Sequence, residues 1–323
     1  MTGSECWLGI DLGGTYIKWV QLGADGDTLA SGRRPTPMTG QADVTEALAD
    51  VVLARLSAGV HLAGVGIAVP GHLSEDRDSI TLLPNVPGEW PGFPLADTIV
   101  ARTGFDPVLL NDARAFALAE IEFGSAHGSD DVVFATIGTG VGGALAARGT
   151  VVTTRRDGFG EVGHTTVVID GDLCGCGSLG CVEAYAGGAA VLSRAKARGV
   201  ALELGVVTLA ALGRLAESDS VAADVLDEAY DAFAIGIATS CALTGARLVV
   251  VGGAVAHELP GYLNRSRERL AERLGLLGPV EVRLAQLGPR AGALGAAVAA
   301  RITARHRPLS SEPAAHTTLE HLV

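Results

Sequence analysis

The sequence contains no long hydrophobic run and no cluster of basic residues. Because no stretch of about 18 uncharged apolar residues is present and no basic segment opens the N-terminus, we expect neither a membrane helix nor a signal peptide. A net charge of −12 without a basic patch argues against a nucleic-acid partner. With 48% hydrophobic residues over 323 positions, the chain is long enough for two domains, and we expect a cytoplasmic protein without a membrane partner.

Two widespread nucleotide-binding motifs are also missing, the Walker A loop and the G-x-G-x-x-G turn that opens a helix. Glycine-rich turns between apolar strands are present instead, and the first lies between predicted strands over residues 7–10 and 16–21. Its glycines expose backbone N–H groups to an anion, and the Asp11 carboxylate suits Mg²⁺ bound to nucleotide phosphates. A hairpin turn with a solvated aspartate is the alternative, and Lys18 is interpreted as a solvated strand residue. The cofactor residues assigned to this turn are Asp11, Gly13, Gly14 and Thr15.

The same pattern recurs later in the chain. Residues 132–146 read as a strand, a glycine turn and another strand, and residues 248–251 read as a buried strand that ends at two glycines. Two related phosphate-binding hairpins, separated by about one domain length, indicate structurally duplicated halves that face each other across a nucleotide cleft. The cofactor residues assigned to these turns are Gly138, Thr139, Gly140, Gly252 and Gly253.

One histidine and three cysteines lie close together in the sequence. Imidazole nitrogen and thiolate sulfur are preferred ligands of tetrahedral Zn²⁺, and a site with four protein ligands is structural. We therefore predict a structural Zn²⁺ that positions the flanking Glu161 and Glu183, with buried thiols or a disulfide plus a spare cysteine as the alternative. The predicted metal ligands are His164, Cys174, Cys176 and Cys181. Cys6 and Cys241 stand in apolar contexts and are expected to be buried reduced thiols.

Taken together, these motifs resemble the ROK family of sugar kinases and sugar-responsive repressors, within the actin-like and hexokinase-like ATPase superfamily. The resemblance covers nearly the whole chain in the family's order and spacing. It rests on D-L-G-G-T at 11–15, P-N-V-P-G at 84–88, N-D-A at 111–113, I-G-T-G-V-G-G at 137–143, G-E-V-G-H at 160–164, C-G-C-G-S-L-G-C-V-E at 174–183 and V-G-G-A at 251–254. It implies an α/β, two-domain, actin-like ATPase (ribonuclease H-like) fold, with the sugar and the nucleotide in the cleft between the domains.

Asp112 is the candidate catalytic residue. It follows the apolar strand 108–110 and precedes a predicted helix over 113–123, so it lies where open α/β sheets bind ligands. By sequence alone it is equally well interpreted as a helix N-cap; the resemblance implies a general base that accepts the proton of a sugar hydroxyl. The resemblance also implies that His164 binds both zinc and sugar. The implied substrate-binding residues are Asn85, Asn111, Asp112, Glu161, His164 and Glu183.

The implied function is phosphorylation of a hexose by ATP, with glucose at its 6-hydroxyl as the leading reaction. A kinase for an N-acylhexosamine (N-acetylglucosamine or N-acetylmannosamine) or another hexose is the alternative, and another phosphate donor than ATP stays open. A sugar-sensing regulator is less expected, because only ten residues precede Asp11, where the family's repressors carry a helix-turn-helix domain. Arg114 and Tyr185 depart from residues common in the family and are expected to influence sugar preference.

The remaining sequence is predicted to form the scaffold. Helices are predicted over residues 44–56, 221–243 and 291–304, with a strand over 65–69. Because the last helix of such proteins returns to the first domain, we predict a small domain from 1–112 plus 291–305, a large domain from 113–290 with the zinc loop, and a tail from 306–323. The long apolar helix 221–243 suggests a homo-oligomer, a dimer or tetramer.

Overall fold

The computed structural model describes residues 5–154, 158–200, 208–259 and 261–306, and these form a mixture of helices and strands, as predicted. The strands are β1 (Cys6–Leu12), β2 (Tyr16–Gly23), β3 (Thr28–Pro35), β4 (Leu62–Val69), β5 (His72–Leu73), β6 (Ile80–Leu82), β7 (Val108–Asn111), β8 (Val132–Ile137), β9 (Val141–Ala147), β10 (Thr150–Val151), β11 (Leu248–Gly252) and β12 (Glu281–Leu284). The α-helices are α1 (Gln41–Ser57), α2 (Leu95–Thr103), α3 (Asp112–Phe123), α4 (Glu183–Ala186), α5 (Gly188–Ala197), α6 (Leu209–Leu215), α7 (Ser220–Thr244), α8 (Ala254–Glu258), α9 (Tyr262–Leu274) and α10 (Ala291–His306). Short 3-10 helices cover Val162–His164, Gly275–Leu277 and Gly288–Arg290.

The chain divides into two compact units. The first comprises Met1–Gly124, Thr153–Phe159 and Pro289–Val323, and the second comprises Ser125–Val152 and Gly160–Gly288. The structure thus groups α3 with the first unit, whereas the boundary proposed from the sequence, after residue 112, assigned it to the second. Close packing is the reason, since a Cβ added at Gly295 of α10 would lie 1.7 Å from the carbonyl oxygen of Ala115 in α3. The proposed tail lies outside the described residues from position 307 onward.

The first unit contains a five-stranded sheet in the order β3-β2-β1-β4-β7. Strands β1, β2 and β3 are antiparallel neighbours, whereas β4 and β7 run parallel to β1. Helix α10 packs directly on β1 and β4, because glycines at Gly9 and Gly66 leave room for its backbone. A Cβ at Gly9 would lie 1.9 Å from the Ala293 carbonyl oxygen, and a Cβ at Gly66 would lie 2.0 Å from that of Ala296. The glycines of β1 and β4 therefore allow the backbone of α10 to pack closely on the sheet.

The second unit repeats this arrangement. Its sheet has the order β10-β9-β8-β11-β12, with β8, β9 and β10 antiparallel and with β11 and β12 parallel to β8. Helix α7 begins where the Asp219 carboxylate accepts the N–H groups of Val221 and Ala222, and it ends at Gly245, whose φ of 74° is left-handed. Within the described residues, no helix is both long enough and apolar enough to cross a membrane.

Candidate active site and metal centre

The first glycine turn joins β1 to β2 in the first unit. The Gly13 N–H donates to the Tyr16 carbonyl (3.1 Å), which closes the turn. Thr36, which follows β3, supports it from outside: its hydroxyl donates to the Gly13 carbonyl (2.6 Å) and its N–H donates to the Thr15 carbonyl (3.0 Å). Sequence reasoning missed Thr36, because it lies 23 residues from Gly13 and belongs to no glycine motif.

Asp11 lies near the end of β1 with 13% of its side chain exposed. Burial raises the pKa of its carboxyl group, and the neighbouring Lys18 ammonium opposes that rise. The Lys18 Nζ lies 3.3 Å from the carboxylate and 34% of the Lys18 side chain is exposed, so Lys18 is partly solvated and also pairs with Asp11. The carboxylate also lies at the start of α10, where a Cβ at Gly292 would approach it to 2.8 Å. A carboxylate oxygen is a preferred ligand of Mg²⁺, which at this position would compete with the Lys18 ammonium for Asp11.

Asn85 packs against the first glycine turn. Its φ of 62° is left-handed, which asparagine tolerates better than most residues. A Cβ added at Gly14 would lie 2.8 Å from the Asn85 backbone oxygen, so the turn and this residue are in direct contact. A predicted sugar-binding residue and a predicted phosphate-binding residue therefore lie side by side.

Asn111 and Asp112 lie where β7 ends and α3 begins. Asn111 is the N-cap: its Oδ1 accepts the N–H groups of Ala113 (2.9 Å) and Arg114 (3.3 Å), while its Nδ2 donates to the Gly71 carbonyl (2.8 Å). The alternative in which Asp112 caps the helix is therefore wrong. Asp112 is the first helical residue and is partly exposed, with Oδ1 accepting the Ala113 N–H (2.8 Å).

The second glycine turn lies between β8 and β9 in the second unit. The Gly138 N–H donates to the Gly140 carbonyl (3.0 Å). The Glu183 Oε2 accepts the Val141 N–H (2.9 Å), which places a predicted sugar-binding carboxylate directly on this turn. Next to it, Gly253 has a φ of 91°, and a Cβ there would lie 2.2 Å from the Ile137 carbonyl oxygen. The second and third glycine elements are therefore adjacent.

The four predicted metal ligands converge. Their ligand atoms all lie within 4.8 Å of one another, with 3.7 Å between the His164 Nδ1 and the Cys174 Sγ and 3.7 Å between the Cys176 and Cys181 sulfurs. A tetrahedral site with Zn–S bonds of about 2.3 Å has ligand atoms roughly 3.8 Å apart, so this donor set fits structural zinc. A disulfide needs sulfurs about 2.05 Å apart, and the five cysteines are free.

Cys174 is in an environment that disfavours its thiolate form unless a cation is present. Burial raises the pKa of the Cys174 thiol to about 12, so a thiolate at this position requires a nearby positive charge. Because His164 directs Nδ1 toward the sulfurs, its other ring nitrogen is the one available for a second partner. Glu161 precedes the short 3-10 helix Val162–His164, and its carbonyl accepts the His164 N–H (3.0 Å).

The two residues that depart from the family pattern have structural partners. The Tyr185 hydroxyl accepts the Asp172 N–H (2.9 Å) at the edge of the zinc loop, and the Arg194 guanidinium lies 4.1 Å above the Tyr185 ring. Arg114 is 3% exposed and donates to the Phe159 carbonyl (2.6 Å). Neither set of contacts could be inferred from the sequence, because the partners lie outside the motifs that the residues belong to.

Comparison with known proteins places this chain in a family. A model of the ROK family matches residues 7–302, so the chain belongs to the ROK family. The glucokinase of Streptomyces coelicolor is 34% identical over 314 residues, which cover 91% of this chain and 97% of the relative. The N-acetylmannosamine kinase of Escherichia fergusonii is 34% identical over 296 residues, which cover 91% and 98%. A ROK family glucokinase from Streptomyces griseus, solved with glucose and AMPPNP, is 32% identical with a TM-score of 0.78, covering 92% of this chain and 99% of that one.

These relatives confirm the predicted class, a glucokinase-like sugar kinase of the ROK family with the actin-like ATPase fold. Within the first unit, the structure brings together Asp11, the first glycine turn and Asn85, and it places Asn111 and Asp112 at the end of β7, which is separated from β1 by β4. Within the second unit, it brings together the other two glycine elements, Glu183 and the metal ligands.

Proposed function

We propose that this protein transfers the γ-phosphoryl group of ATP to a hexose, with the 6-hydroxyl of glucose as the leading acceptor. The observation that carries the proposal is the common sheet edge of Asp11 and Asp112. Asp11 is in register with Ala68 on β4, and Ala68 is in register with Leu110 on β7. Because neighbouring strands are about 4.8 Å apart, the strand ends that bear the two carboxylates are roughly 10 Å apart. That separation leaves space for a terminal phosphoryl group and an acceptor hydroxyl.

Asp112 is the proposed general base. A sugar hydroxyl is a weak nucleophile while it keeps its proton, so a carboxylate within hydrogen-bond reach must accept that proton as the oxygen attacks phosphorus and ADP leaves. The N-cap function of Asn111 supports this role, because Asn111 fixes the first turn of α3 and so holds the backbone of Asp112 in place.

Sugar hydroxyls are proposed to be bound by side chains that offer paired donors or acceptors. Such groups discriminate between epimers, because a wrong epimer leaves a buried polar group unpaired. The proposed sugar-binding residues are Asn85, Asn111, Asp112, Glu161, His164 and Glu183. An N-acylhexosamine is the second candidate acceptor, and the N-acetylmannosamine kinase of 34% identity favours including it.

The proposed donor site uses ATP with Mg²⁺, and the structural ion is proposed to be Zn²⁺. The proposed nucleotide-binding residues are Asp11, Gly13, Gly14, Thr15, Gly138, Thr139, Gly140, Gly252 and Gly253. Mg²⁺, when bound, neutralises phosphate charge. Asp11 is positioned to hold that ion, and the glycine turns present backbone N–H groups to the phosphates. The four proposed zinc ligands are His164, Cys174, Cys176 and Cys181, and in this role none of the three cysteines is left to act as a catalytic thiol.

Measurement of ADP release tests the proposal. Purified protein with Mg·ATP is assayed with glucose, mannose, fructose, allose, N-acetylglucosamine and N-acetylmannosamine, and the zinc content is determined on the same preparation. We expect turnover with glucose to exceed that with the other sugars. Asp112→Asn is expected to lower kcat by at least about 100-fold, the usual contribution of a positioned base, with little change in zinc content.

Asp97→Asn is the matched control, since Asp97 is an exposed residue of α2 in the same unit. It is expected to retain the parent kcat. Protein that binds ATP and zinc but phosphorylates no sugar on the panel would refute the hexose kinase proposal. Turnover that survives Asp112→Asn would refute only the assignment of the base.

A further inference from the structure

We propose that residues 181–189, here called the 181–189 segment, orient the peptide groups of the second glycine turn, so that occupancy of the zinc site sets the affinity for the phosphate donor. In this arrangement Glu183 is a positioning residue for the turn. The inference rests on the nucleotide-binding role proposed above for Gly138, Thr139 and Gly140.

The start of α5 holds two carbonyl groups of the turn. The Gly188 N–H donates to the Gly138 carbonyl (2.9 Å), and the Ala189 N–H donates to the Thr139 carbonyl (3.0 Å). In a trans peptide group the C=O and the N–H point in opposite directions. With these carbonyls directed at α5, the N–H groups of Thr139 and Gly140 point to the opposite side of the turn. These are the donors that a phosphate approaching the turn from that side would meet.

Glu183 fixes the other end of the same turn. Its Oε2 accepts the Val141 N–H (2.9 Å), and a Cβ added at Gly140 would lie only 2.2 Å from this oxygen. A carboxylate beside a phosphate-binding turn is electrostatically unfavourable for the bound anion. Its position there is understandable if its main effect is to hold the backbone of the turn in one conformation.

The 181–189 segment is connected to the metal site through its first residue. Cys181 is fully buried and precedes Glu183 by two positions, and its carbonyl accepts the Ala184 N–H (3.1 Å). The Val182 N–H donates to the carbonyl of Thr165 (3.0 Å), the neighbour of His164. The predicted ligands Cys181 and His164, which are 17 positions apart, therefore both lie beside the residues that fix where α4 begins. If the ligands separate, the start of α4 loses its fixed position, and the contacts to the turn weaken with it.

The first test uses Glu183→Asp, which keeps the negative charge and withdraws the carboxylate by about 1.5 Å, one carbon–carbon bond. The affinity for Mg·ADP is measured by calorimetry without sugar. We expect binding about 5–10-fold weaker, because the charge-assisted bond to the Val141 N–H is lost. Glu281→Asp is the matched control, because Glu281 lies on β12 of the same unit and pairs with Arg283; it is expected to bind Mg·ADP like the parent protein.

The second test perturbs the metal site at its most accessible ligand. Among the three cysteine ligands, Cys176 is exposed whereas Cys174 and Cys181 are buried. Cys176→Ser is therefore expected to lower the zinc content while the chain stays folded. Affinity for Mg·ADP is expected to fall in parallel with the zinc content. If Glu183 transmits the effect, the double variant binds Mg·ADP less weakly than the product of the two single effects predicts.

Three results would overturn the inference. One is unchanged Mg·ADP affinity in Glu183→Asp with full zinc content and normal thermal stability. Another is unchanged affinity in zinc-depleted Cys176→Ser. A third is a double variant whose effect equals the product of the single effects, which would mean that the two sites act independently. Because binding is measured without sugar, failure of every sugar as acceptor would refute the proposed reaction and leave this inference standing.

Discussion

The Asn111 side chain leads to a testable prediction. In the structure it forms hydrogen bonds with the backbone at the start of α3 and at Gly71, whereas the family resemblance implies that it binds the sugar. Asn111→Ala removes the acceptor for two N–H groups of α3 and the donor to Gly71. Asn111→Ser keeps a hydroxyl that can cap the helix, and it loses the bond to Gly71.

The expected magnitudes follow from these contacts. Loss of an N-cap destabilises a protein by about 0.5–2 kcal/mol. The partly buried carbonyl of Gly71, left without its donor, adds about 1 kcal/mol. We therefore expect Asn111→Ala to lower the free energy of unfolding of the first unit by about 1.5–3 kcal/mol, and Asn111→Ser by about 1 kcal/mol.

The protein contains a suitable probe for this measurement. Its three tryptophans are Trp7, Trp19 and Trp90, and all three belong to the first unit. Urea unfolding followed by tryptophan fluorescence therefore reports on the unit that contains Asn111. Asn264→Ala, at an exposed position of α9 in the second unit, is the control and is expected to leave the fluorescence transition unchanged.

The two variants also separate the structural role from a sugar-binding role. If capping dominates, Asn111→Ser retains a larger share of both stability and kcat than Asn111→Ala does. The reasoning is refuted if both variants are as stable as the parent protein while the KM for the sugar rises equally in both. Asn111 would then be a sugar ligand whose contacts to α3 contribute nothing measurable.

Two further predictions concern the first unit. Gly295→Ala is expected to destabilise it by about 1–3 kcal/mol in the same fluorescence assay, because the new methyl group would meet the Ala115 carbonyl. Gly158→Ala is the control, because a Cβ at Gly158 meets nothing within 4 Å. Equal stability of the two variants would contradict the packing argument. Lys18→Met is expected to raise the pKa of Asp11 further, since the ammonium now opposes the effect of burial. Asp11 would then stay protonated up to a higher pH, so the acid limb of the pH profile of kcat/KM for ATP moves to higher pH. Lys18→Arg is the control and is expected to keep the parent profile. A shift to lower pH in Lys18→Met would show that Lys18 does not act on Asp11.

Features encoded locally could be predicted from the sequence. The long helix expected over residues 221–243 is Ser220–Thr244, and the strand expected over 65–69 lies within Leu62–Val69. The four predicted zinc ligands fall within 18 positions of one another and are separated by glycines, so the convergence of their side chains requires little more than a loop. In each case the periodicity or the spacing is a property of one continuous segment.

Features that depend on distant pairing could not be predicted. The Asp11–Lys18 ion pair depends on the register of β1 against β2. The alternation of inward and outward side chains along each strand does not determine that register unless the conformation of the connecting turn is known. Arg114 reaches Phe159 across 45 positions, and Glu183 reaches Val141 across 42. The assignment of α3 to the first unit also depends on a contact between distant positions, because α3 packs against α10, about 180 positions further along the chain.

The two glycine turns are supported by different elements of their units. The sheets have the same strand order, and in the first unit the eight-residue β3 leads directly to Thr36, which supports the first turn with a hydroxyl and an N–H. The corresponding strand of the second sheet, β10, has two residues and ends well short of the turn, at Val151. Support for the second turn comes instead from Glu183 of α4 and from the first residues of α5, which lie outside the sheet. The proposed Zn²⁺ ligands include Cys181, which lies two positions before α4. A loop rich in glycine has little apolar surface, so metal binding would be a direct way to hold Cys181 in place.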